Sequence, residues 1–427
     1  MKERVVGRAA VLRGTIHVPS DKSIGHRALL ANAIATGSAE VRLRAPGADL
    51  ASTIGCLPAL GIEINRSGAT VAIRGGRFTS PTRALDCGNS GTTMRLLAGV
   101  MAGQGAAGVL DGDASLRTRP MDRVAQPLRA MGARVATTNG HAPMEIGGGR
   151  LRAASVDLPV ASAQLLGAIA FAALGAEGET TIRLPAAARD HSERLLAWMG
   201  VPIRREELVT SIDGPARPAA RSVDVPGDPS SAAAWLVAGA LHPDADLLLP
   251  DVCLNPTRLA VVDALREMGA AIEVTAVDSD GPEPTGEIRV RSGDRLGPIR
   301  IGGADVAALI DELPLLGVAM ASADGVSELR DAGELRVKES DRIAAMVTGL
   351  EAIGARVEEL PDGWRVGPGA PREAEIATRG DHRIAIAFAV AALAGVSGRV
   401  RIDDVEAVSV SYPGFWADLE SVAAVPA

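Results

Sequence analysis

The sequence predicts an α/β fold of two pseudo-symmetric domains, each built from three repeated units. Three observations predict it. A phrase Leu-x-x-apolar-Gly-x-x-apolar recurs about every 70 residues, an Ala/Leu-rich helix precedes each copy, and two similar segments lie three repeats apart. A chain of 427 residues also exceeds what one hydrophobic core usually supports.

The recurring phrase is typical of a helix that ends at a glycine and continues into a strand. Glycine supplies the left-handed backbone that closes many helices. The copies are LPALGIEI (57–64), LRAMGARV (128–135), LAWMGVPI (196–203), LREMGAAI (265–272) and LEAIGARV (350–357). A sixth, degenerate copy, LESVAAV (419–425), has Ala423 at the glycine position.

A second phrase precedes each of these copies: a short polar or glycine-containing loop that runs into an Ala/Leu-rich helix. Its copies are DKSIGHRALLANAIA, GNSGTTMRLLAGVMA, VASAQLLGAIAFAAL, DPSSAAAWLVAGAL, DELPLLGVAMASA and GDHRIAIAFAVAAL. Each unit therefore reads helix, strand, helix, glycine, strand, strand.

The two halves of the chain are related as well. VPSDKS at 18–23 recurs as VPGDPS at 225–230, three repeats further on. The sixth unit lacks its closing strands, while the strand-like AVLRGTIHV at 10–18 belongs to no complete unit. We therefore expect the N-terminal segment to complete the sixth unit. One domain would comprise residues 21–226, and the other residues 1–20 plus 227–427.

Composition narrows the function classes. The net charge of −8 argues against a nucleic-acid or anionic-membrane surface. Aromatic residues make up only 2% of the chain, so the cores should be aliphatic. The start of the chain lacks the apolar block of a signal peptide, and the apolar runs fall short of the ~20 residues that span a bilayer. Cys56, Cys87 and Cys253 form no CxxC pair and are expected to be reduced and buried, which indicates a cytoplasmic protein.

Lysine is rare among the cations. Of the 44 basic residues only Lys2, Lys22 and Lys338 are lysines, so arginine serves wherever a generic surface cation suffices. A lysine retained inside the chain indicates a place that needs a compact ammonium rather than a planar fork.

Unusual polar residues cluster where the helices are expected to begin. Helix N-termini carry unpaired N–H groups and partial positive charge, and therefore suit anions. If the two domains face each other, these starts converge on a cleft that binds a polyanion, such as a phosphate with carboxylates. The first helices contribute Lys22-Ser23 with Arg27, Asn89-Ser90-Gly91, Ser162-Ala163-Gln164, Asp311-Glu312 and Asp381-His382-Arg383. The second helices add Arg117, Arg119, Arg189, Lys338-Glu339 and Arg342.

Common motifs of nucleotide, zinc and serine-nucleophile enzymes do not occur. The sequence contains no GxxxxGK[ST], strand-bound GxGxxG, HExxH or GxSxG, and its six histidines show no metal-ligand spacing. We therefore expect no cofactor and no metal. The chemistry that remains is acid–base work by carboxylates and lysines among anion-binding groups.

Seven segments, in order, resemble the motifs of the 3-phosphoshikimate 1-carboxyvinyltransferase (5-enolpyruvylshikimate-3-phosphate synthase) family of enolpyruvyl transferases. They are VPSDKSIGHRALLANAIATG, DCGNSGTTMRLLAG, LRTRPM, ASAQLLGAI, LIDELPLLGVAM, ELRVKESDRI and RGDHRIAIA. The resemblance spans residues 18–387. It implies two domains of three βαβαββ units with the helices inside, an inside-out α/β barrel, closing over the substrates.

The resemblance also implies an activity: transfer of the enolpyruvyl group of phosphoenolpyruvate to the 5-hydroxyl of shikimate 3-phosphate, with release of phosphate. Both substrates are small molecules, and we expect no nucleic acid, no membrane and a monomer. Catalytic residues are implied at Asp311 as proton acceptor, Glu339 as proton donor to the methylene carbon, and Lys22. Shikimate-3-phosphate contacts are implied at Lys22, Ser23, Arg27, Ser162, Gln164, Arg189, Asp311 and Lys338. Phosphoenolpyruvate contacts are implied at Lys22, Gly91, Arg119, Gln164, Arg342 and Arg383.

The chain departs from the family pattern in three places. Gly25 stands where many members have serine, and Ala163 replaces a second serine found in some members. Near the C-terminus, where some members offer another basic residue, the stretch VSVSYPGFW offers none and Val410 lies at about that position. No site residue is assigned there.

Three alternatives remain open. The sister transferase that acts on UDP-N-acetylglucosamine would carry Lys-Asn in the first helix and a cysteine in a catalytic loop, whereas this chain has Lys22-Ser23 and RTRPMD. A paralogous transferase could act on another phosphorylated acceptor. A catalytically silent anion-binding protein would not need Asp311, Lys338 and Glu339.

Overall fold

The computed structural model describes residues 2–277 and 280–424. The chain folds into two compact units. Unit 1 contains Met1–Pro19, Pro226–Ser279 and Pro284–Ala427, and unit 2 contains Ser20–Val225 and Asp280–Glu283.

The first three repeats build unit 2. Strands β1 (Arg4–Val6) and β2 (Val11–Thr15) precede them in the chain. The first repeat contains α1 (Lys22–Ala33), β3 (Ser38–Arg42), α2 (Ala48–Ala59), β4 (Glu63–Ser67) and β5 (Thr70–Arg74). The second contains β6 (Leu85–Asp86), α3 (Gly91–Gln104), β7 (Gly108–Asp111), α4 (Asp122–Ala130), β8 (Arg134–Thr138) and β9 (His141–Gly147). The third contains β10 (Ser155–Asp157), α5 (Ala163–Ala173), β11 (Gly178–Arg183), α6 (His191–Trp198), β12 (Ile203–Glu206) and β13 (Val209–Gly214).

The last three repeats lie mainly in unit 1. The fourth contains β14 (Val223–Asp224), α7 (Pro229–Leu241), β15 (Ala245–Cys253), α8 (Ala260–Glu267), β16 (Ala271–Val277) and β17 (Thr285–Arg291). The fifth contains β18 (Arg300–Ile301), α9 (Asp305–Leu309), α10 (Leu313–Ser322), β19 (Ser327–Leu329), α11 (Arg342–Ala352), β20 (Arg356–Leu360) and β21 (Gly363–Gly367). The sixth contains β22 (Ala374–Ile376), α12 (His382–Leu393), β23 (Val400–Ile402), α13 (Phe415–Val422) and β24 (Ala423–Ala424).

The helix ends follow the predicted chemistry. The repeat glycines all have positive φ angles, as a left-handed helix terminus requires: Gly61, Gly132, Gly200, Gly269 and Gly354. Ala423 has a φ of −92° instead, and the chain passes straight into β24. Several helices begin at a residue whose side chain accepts a backbone N–H: Asp21, Ser90, Ser162, Asp228, Asp341 and Asp381.

Apolar helices form the interior of each unit and the small sheets lie around them. In unit 2, α3 packs against both α1 and α5, and in unit 1 α7, α10 and α12 pack against one another. Glycine permits the close approach of α3 and α5, because a Cβ on Gly99 would lie 2.0 Å from the Ala168 carbonyl oxygen. Strand β3 alternates between buried and exposed residues, with Ala39 and Val41 facing the core.

Four of the sheets formed by the described residues have the same kind of strand order. In unit 2 the orders are β14-β3-β5-β4, β6-β7-β9-β8 and β10-β11-β13-β12, and in unit 1 β18-β19-β21-β20 repeats it. Strand β14, which precedes α7 in the chain, pairs parallel with β3. Strand β2, which precedes α1, correspondingly pairs parallel with β15. Two strands are therefore exchanged between the first and fourth repeats.

The N-terminal segment contributes two strands that pair with the sixth repeat. β2, within residues 10–18, lies between β15 of the fourth repeat and β24 of the sixth repeat in the sheet β16-β17-β15-β2-β24. β1 pairs antiparallel with β23 of the sixth repeat. The hydrophobic pattern of residues 10–18 identifies a strand, but pairing between distant segments is decided in three dimensions.

The core is aliphatic, as the composition predicts, with one aromatic cluster in unit 1. There the rings of Trp235, Tyr412, Phe415 and Trp416 contact one another at centroid separations of 5.0–6.4 Å. The three cysteines are free and buried, as expected. Among the residues that the structure describes, none of the helices is long and apolar enough to cross a membrane.

Candidate active site

The start of α1 gathers cations in unit 2. Lys22 Nζ lies 3.0 Å from Asp49 Oδ2 at the start of α2. Arg27, one turn along α1, is buried, and its guanidinium donates to Ser192 Oγ at 2.7 Å, to the Ser23 carbonyl at 2.9 Å and to the Ala163 carbonyl at 2.7 Å. The starts of three helices therefore meet at one guanidinium.

Burial lowers the pKa of Arg27 to about 10, because a cation loses its hydration inside the protein. The carboxylates of Glu193 and Asp21 oppose this shift, and the neighbouring Arg189 adds to it. Arg189, which belongs to the predicted shikimate-3-phosphate contacts, therefore lies near Arg27. The two guanidiniums together favour an anion.

A second group forms where α3 and α5 begin. Arg95 Nη1 donates to Gln164 Oε1 at 2.6 Å, and Gln164 Nε2 donates to Thr92 Oγ1 at 2.9 Å. A Cβ on Gly91 would lie 2.9 Å from Arg95 Nη1 and 3.6 Å from Arg119 Nη1. The absence of a side chain at residue 91 thus leaves space beside two guanidiniums.

The loop residues of this group are held by their neighbours. Arg119 donates to Asn89 Oδ1, which precedes the start of α3. Ser162 caps α5, and its hydroxyl accepts the Leu165 N–H at 3.4 Å. Gly25 packs against α2: a Cβ there would lie 2.9 Å from Leu50 Cδ2. The absence of a side chain at residue 25 thus permits close packing of α1 against α2.

In unit 1 the predicted residues meet around Arg342. Its Nε donates to Asp381 Oδ2 at 2.8 Å, and its Nη2 donates to Glu339 Oε2 at 2.6 Å. Its Nη1 lies 4.0 Å from Asp311 Oδ1. Burial opposes the charge, but Asp381 and Glu339 raise the pKa of Arg342 above its usual value.

Arg383 and Lys338 join the same cluster. Arg383 Nη1 donates to the Asp311 carbonyl at 2.8 Å, and its Nη2 lies 3.6 Å from Asp311 Oδ1. Loss of hydration lowers the pKa of Lys338, although Asp311 and Glu334 oppose the shift. Two separate segments of the chain, residues 338–342 and the start of α12, thus bring three cations near Asp311.

The sequence missed three residues that organise these groups. Asp49 pairs with Lys22, Arg95 holds Gln164, and Asp381 binds Arg342. Arg95 has a signal, because it lies four residues after Gly91 and therefore on the same side of a helix. Asp381 was recognised only as part of a helix start, and Asp49 lies in a segment without a motif.

No group of three or more histidine, cysteine, aspartate or glutamate side chains suited to a metal ion occurs within residues 2–277 and 280–424. The donors of both clusters are mainly guanidinium, ammonium and amide groups. Their chemistry is that of anion binding.

The chain is similar to known proteins over its whole length. It is 49% identical to the 3-phosphoshikimate 1-carboxyvinyltransferase of Roseiflexus sp. (strain RS-1), covering 96% of this chain and 97% of the relative. It is 44% identical to the protein of that name from Geobacillus kaustophilus, with coverage of 96% and 98%.

The chain is also similar to solved structures of enolpyruvyl transferases. The EPSP synthase of Acinetobacter baumannii superposes with a TM-score of 0.88 at 36% identity, covering 100% of this chain and 99% of that chain. The enolpyruvyl transferase NikO of Streptomyces tendae shares the fold, with a TM-score of 0.76 at 19% identity and coverage of 98% and 96%. A family profile described as EPSP synthase (3-phosphoshikimate 1-carboxyvinyltransferase) matches residues 6–419. The chain therefore belongs to the EPSP synthase (3-phosphoshikimate 1-carboxyvinyltransferase) family.

Proposed function

We propose that this protein transfers the enolpyruvyl group of phosphoenolpyruvate to the 5-hydroxyl of shikimate 3-phosphate and releases phosphate. The reaction belongs to the biosynthesis of chorismate and the aromatic amino acids. The observation that carries the proposal is the family match over residues 6–419, which includes all the residues of the two clusters.

Shikimate 3-phosphate is proposed to bind through cations and short polar side chains. The proposed contacts are Lys22, Ser23, Arg27, Ser162, Gln164, Arg189, Asp311 and Lys338. Arg27 supports this assignment, because its hydrogen bonds go to neutral oxygens and its positive charge remains available for a phosphate.

Phosphoenolpyruvate is proposed to bind through Lys22, Gly91, Arg119, Gln164, Arg342 and Arg383. The space beside Gly91 and the guanidiniums of Arg95 and Arg119 supports the part in unit 2. In unit 1, Arg383 and Arg342 both lie within 4.0 Å of the Asp311 carboxylate. An anion that binds these arginines would therefore lie close to the proposed base.

The proposed chemistry is an addition followed by an elimination. Asp311 accepts the proton of the 5-hydroxyl as its oxygen attacks the enol carbon, and Glu339 supplies a proton to the methylene carbon. In the elimination, the resulting methyl group returns a proton to the Glu339 carboxylate as the C–O bond to phosphate breaks, and Lys22 and the arginines stabilise the phosphate that leaves. Lys338, beside Asp311, is proposed to contact the attacking hydroxyl.

The test measures phosphate release with shikimate 3-phosphate and phosphoenolpyruvate, each omitted in turn, with and without a chelator. We expect release only when both substrates are present, and no effect of the chelator. Asp311→Asn should abolish turnover, whereas Asp305→Asn, a change at an exposed aspartate of α9, should not. Release that requires a nucleotide, or no release at all, would contradict the proposal.

The alternatives are tested in the same assay with other acceptors. UDP-N-acetylglucosamine tests the sister activity, and unphosphorylated shikimate tests whether the acceptor phosphate is needed. A higher kcat/KM with another phosphorylated cyclic alcohol would favour a paralogous transferase.

We further propose two domains, residues 21–226 and residues 1–20 plus 227–427, in a cytoplasmic monomer that binds neither nucleic acid nor membranes. The compact units, whose main boundaries fall at residues 19/20 and 225/226, support this division. The net charge of −8 supports the absence of a polyanionic partner. Light scattering at several protein concentrations tests the monomer.

A further inference from the structure

A row of buried hydrogen-bonding side chains, here called the His26 chain, links α1, α2 and α3 of unit 2. His26 Nδ1 lies 2.7 Å from Thr53 Oγ1, which lies 2.7 Å from Thr93 Oγ1. Thr93 Oγ1 lies 2.8 Å from Ser90 Oγ and 3.3 Å from the Asp49 carbonyl oxygen. The residues His26, Thr53, Thr93 and Ser90 are each 0% exposed. The proposed reaction assigns a role to none of them.

The His26 ring is neutral. Burial lowers the pKa of His26 to about 3; the nearby Lys22 and Arg27 act in the same direction and Asp49 opposes them. Its Nε2 atom has no hydrogen-bond partner within residues 2–277 and 280–424. A bare acceptor nitrogen fits this apolar position, so the ring proton belongs on Nδ1.

The direction of the hydrogen bonds agrees with this tautomer. The Asp49 carbonyl can only accept, and Ser90 Oγ already accepts the Thr93 N–H at 3.1 Å. The Thr93 hydroxyl hydrogen therefore points toward this end, and Thr93 Oγ1 accepts from Thr53. Thr53 Oγ1 in turn accepts from His26 Nδ1–H, so that every link has one donor and one acceptor.

The far end of the His26 chain meets two elements of the proposed site. Ser90 is the N-cap of α3, directly before Gly91, and its Oγ is held by Thr93. Asp49 carries the carboxylate that pairs with Lys22 at 3.0 Å. Lys22 lies one helical turn before His26 in α1. The His26 chain thus connects the backbone next to Gly91 with Asp49, the residue that pairs with Lys22.

We propose that His26, Thr53 and Thr93 are positioning residues that hold the Gly91 loop and the Lys22–Asp49 pair in register for phosphoenolpyruvate. The inference rests on the proposed function, in which Lys22 and Gly91 contact this substrate. The three helices meet here through mostly aliphatic side chains, which pack without directional preference. Hydrogen bonds of fixed length and direction can define the spacing of the helix starts where packing alone cannot.

The test removes one link at a time and keeps the volume. Thr53→Val replaces a hydroxyl by a methyl group in the middle of the chain. We expect KM for phosphoenolpyruvate, which both Lys22 and Gly91 are proposed to contact, to rise about fivefold or more. KM for shikimate 3-phosphate, which Lys22 but not Gly91 is proposed to contact, should rise less. The matched control is Thr180→Val in β11: Thr180 is also 0% exposed, but its hydroxyl has no partner within the described residues. This control should leave both KM values unchanged.

A conservative replacement of His26 should preserve the hydrogen bond to Thr53, which is the first link of the His26 chain. The amide nitrogen of asparagine can lie where Nδ1 of histidine lies, so His26→Asn should keep KM for phosphoenolpyruvate near that of the parent. His26→Leu should raise it, because leucine has no donor. In the double variant of His26→Leu with Thr93→Val, the two effects should be less than additive, because both changes interrupt one network.

Melting temperatures measured on all variants separate positioning from stability. If Thr53→Val lowers the melting temperature but leaves KM for phosphoenolpyruvate unchanged, the His26 chain only stabilises the fold and the inference is overturned. Equal KM values for His26→Asn and His26→Leu would also overturn it. If the parent releases no phosphate from the two substrates, the proposed function fails and this inference fails with it. If the parent is active and the variants have the same KM values as the parent, only this inference is overturned and the proposed function stands.

Discussion

At the scale of single residues, two buried arginines are compensated in different ways. Arg342 lies among the carboxylates of Asp381, Glu339 and Asp311, whereas the hydrogen bonds of Arg27 go to neutral oxygens. The pKa of Arg342 is accordingly raised, while burial lowers that of Arg27. A buried cation without a hydrogen-bonded carboxylate is costly until an anion arrives. We therefore expect Arg27 to act mainly in ligand binding.

The rarity of lysine leads to a prediction about Lys22 and Lys338, whose side chains are 24% and 27% exposed. An ammonium can direct its three donors at different oxygens in a confined site, where a planar guanidinium would clash. Lys22→Arg and Lys338→Arg should each fold normally but lose at least about tenfold in kcat/KM, roughly 1.4 kcal/mol of transition-state stabilisation.

The control for the lysines is Lys2→Arg. Lys2 forms an ion pair with Glu406 on the surface, where its side chain is 80% exposed, and the change should be silent. If Lys22→Arg and Lys338→Arg match the parent in kcat/KM, the site needs only positive charge.

Glu193 leads to a prediction about stability and pH. Burial raises its pKa to about 7 from 4.5; Asp190 acts in the same direction, and Arg205 and Arg27 oppose it. The folded protein therefore holds this proton more tightly than the unfolded chain does. The associated stability is fully present below pH 4.5 and is lost as the pH rises through 7. Glu193→Gln, which is neutral at every pH, should melt higher than the parent at pH 8.5 but not at pH 5.

The control for Glu193 is Glu206→Gln, at an exposed position in β12. Its melting temperature should follow that of the parent at each pH. A constant difference between Glu193→Gln and the parent from pH 5 to 8.5 would show that Glu193 stays charged when folded.

At the scale of elements, polar helix starts and glycine helix ends recur with each repeat. The starts are held by side-chain caps, and the ends by residues with positive φ. The candidate site residues lie at the helix starts. The side-chain caps that fix where these helices begin therefore also fix the direction of the unpaired N–H groups there. Strand pairing is the element-level feature that this local chemistry does not specify.

The N-terminal strands should be essential to unit 1. β2 lies between β15 and β24, and Leu12 within it is 0% exposed. Deletion of residues 2–16 removes β1 and β2, which leaves core side chains and a sheet edge uncovered. We expect the truncated protein to aggregate or to lose its cooperative melting transition.

Two point variants test β2 without removing the strand. Leu12→Ala should lower the free energy of unfolding by about 2–5 kcal/mol, because it leaves a cavity. Arg13→Ala, which breaks an exposed ion pair with Asp244, should lower the free energy of unfolding far less than Leu12→Ala does. A truncated protein that melts like the parent would contradict the strand assignment.

At the scale of the whole molecule, the two units differ in continuity. Unit 2 consists of residues 20–225 and only four further residues, 280–283, whereas unit 1 needs both ends of the chain. Strand β14 lies within 20–225 and supplies the strand beside β3. Residues 20–225 therefore already contain the exchanged strand that unit 2 uses, whereas β2, which pairs with β15, belongs to unit 1.

We predict that residues 20–225 fold alone and melt cooperatively, as followed by circular dichroism. The fragment should be less stable than the intact protein, because His191 loses the carboxylate of Glu283, which lies 2.6 Å from its Nδ1. An unpaired buried polar group costs about 1–3 kcal/mol. Glu283→Ala in the full chain removes the same acceptor without removing any other part of the protein. Residues 226–427 should not fold alone, since β2 is missing; cooperative melting of that fragment would contradict the prediction.

The sequence by itself determined the repeat and the chemistry of the helix ends, and it predicted most residues of the candidate site. These features depend on local chemistry: the left-handed glycine at position 61 and its equivalents, the caps such as Ser90, and polar residues at helix starts. The family motifs then assigned proposed roles to residues such as Lys22 and Asp311. None of these steps needs to know which distant segments touch.

Only the tertiary structure decided the pairings between distant segments. It placed β1 beside β23 and β2 beside β15, although the hydrophobic pattern of either strand would suit another sheet. It also brought Asp49 to Lys22, and Thr53 to His26, across 27 residues of sequence each. Such contacts depend on the packing of complete helices and sheets, and a short stretch of sequence does not encode which partner is reached.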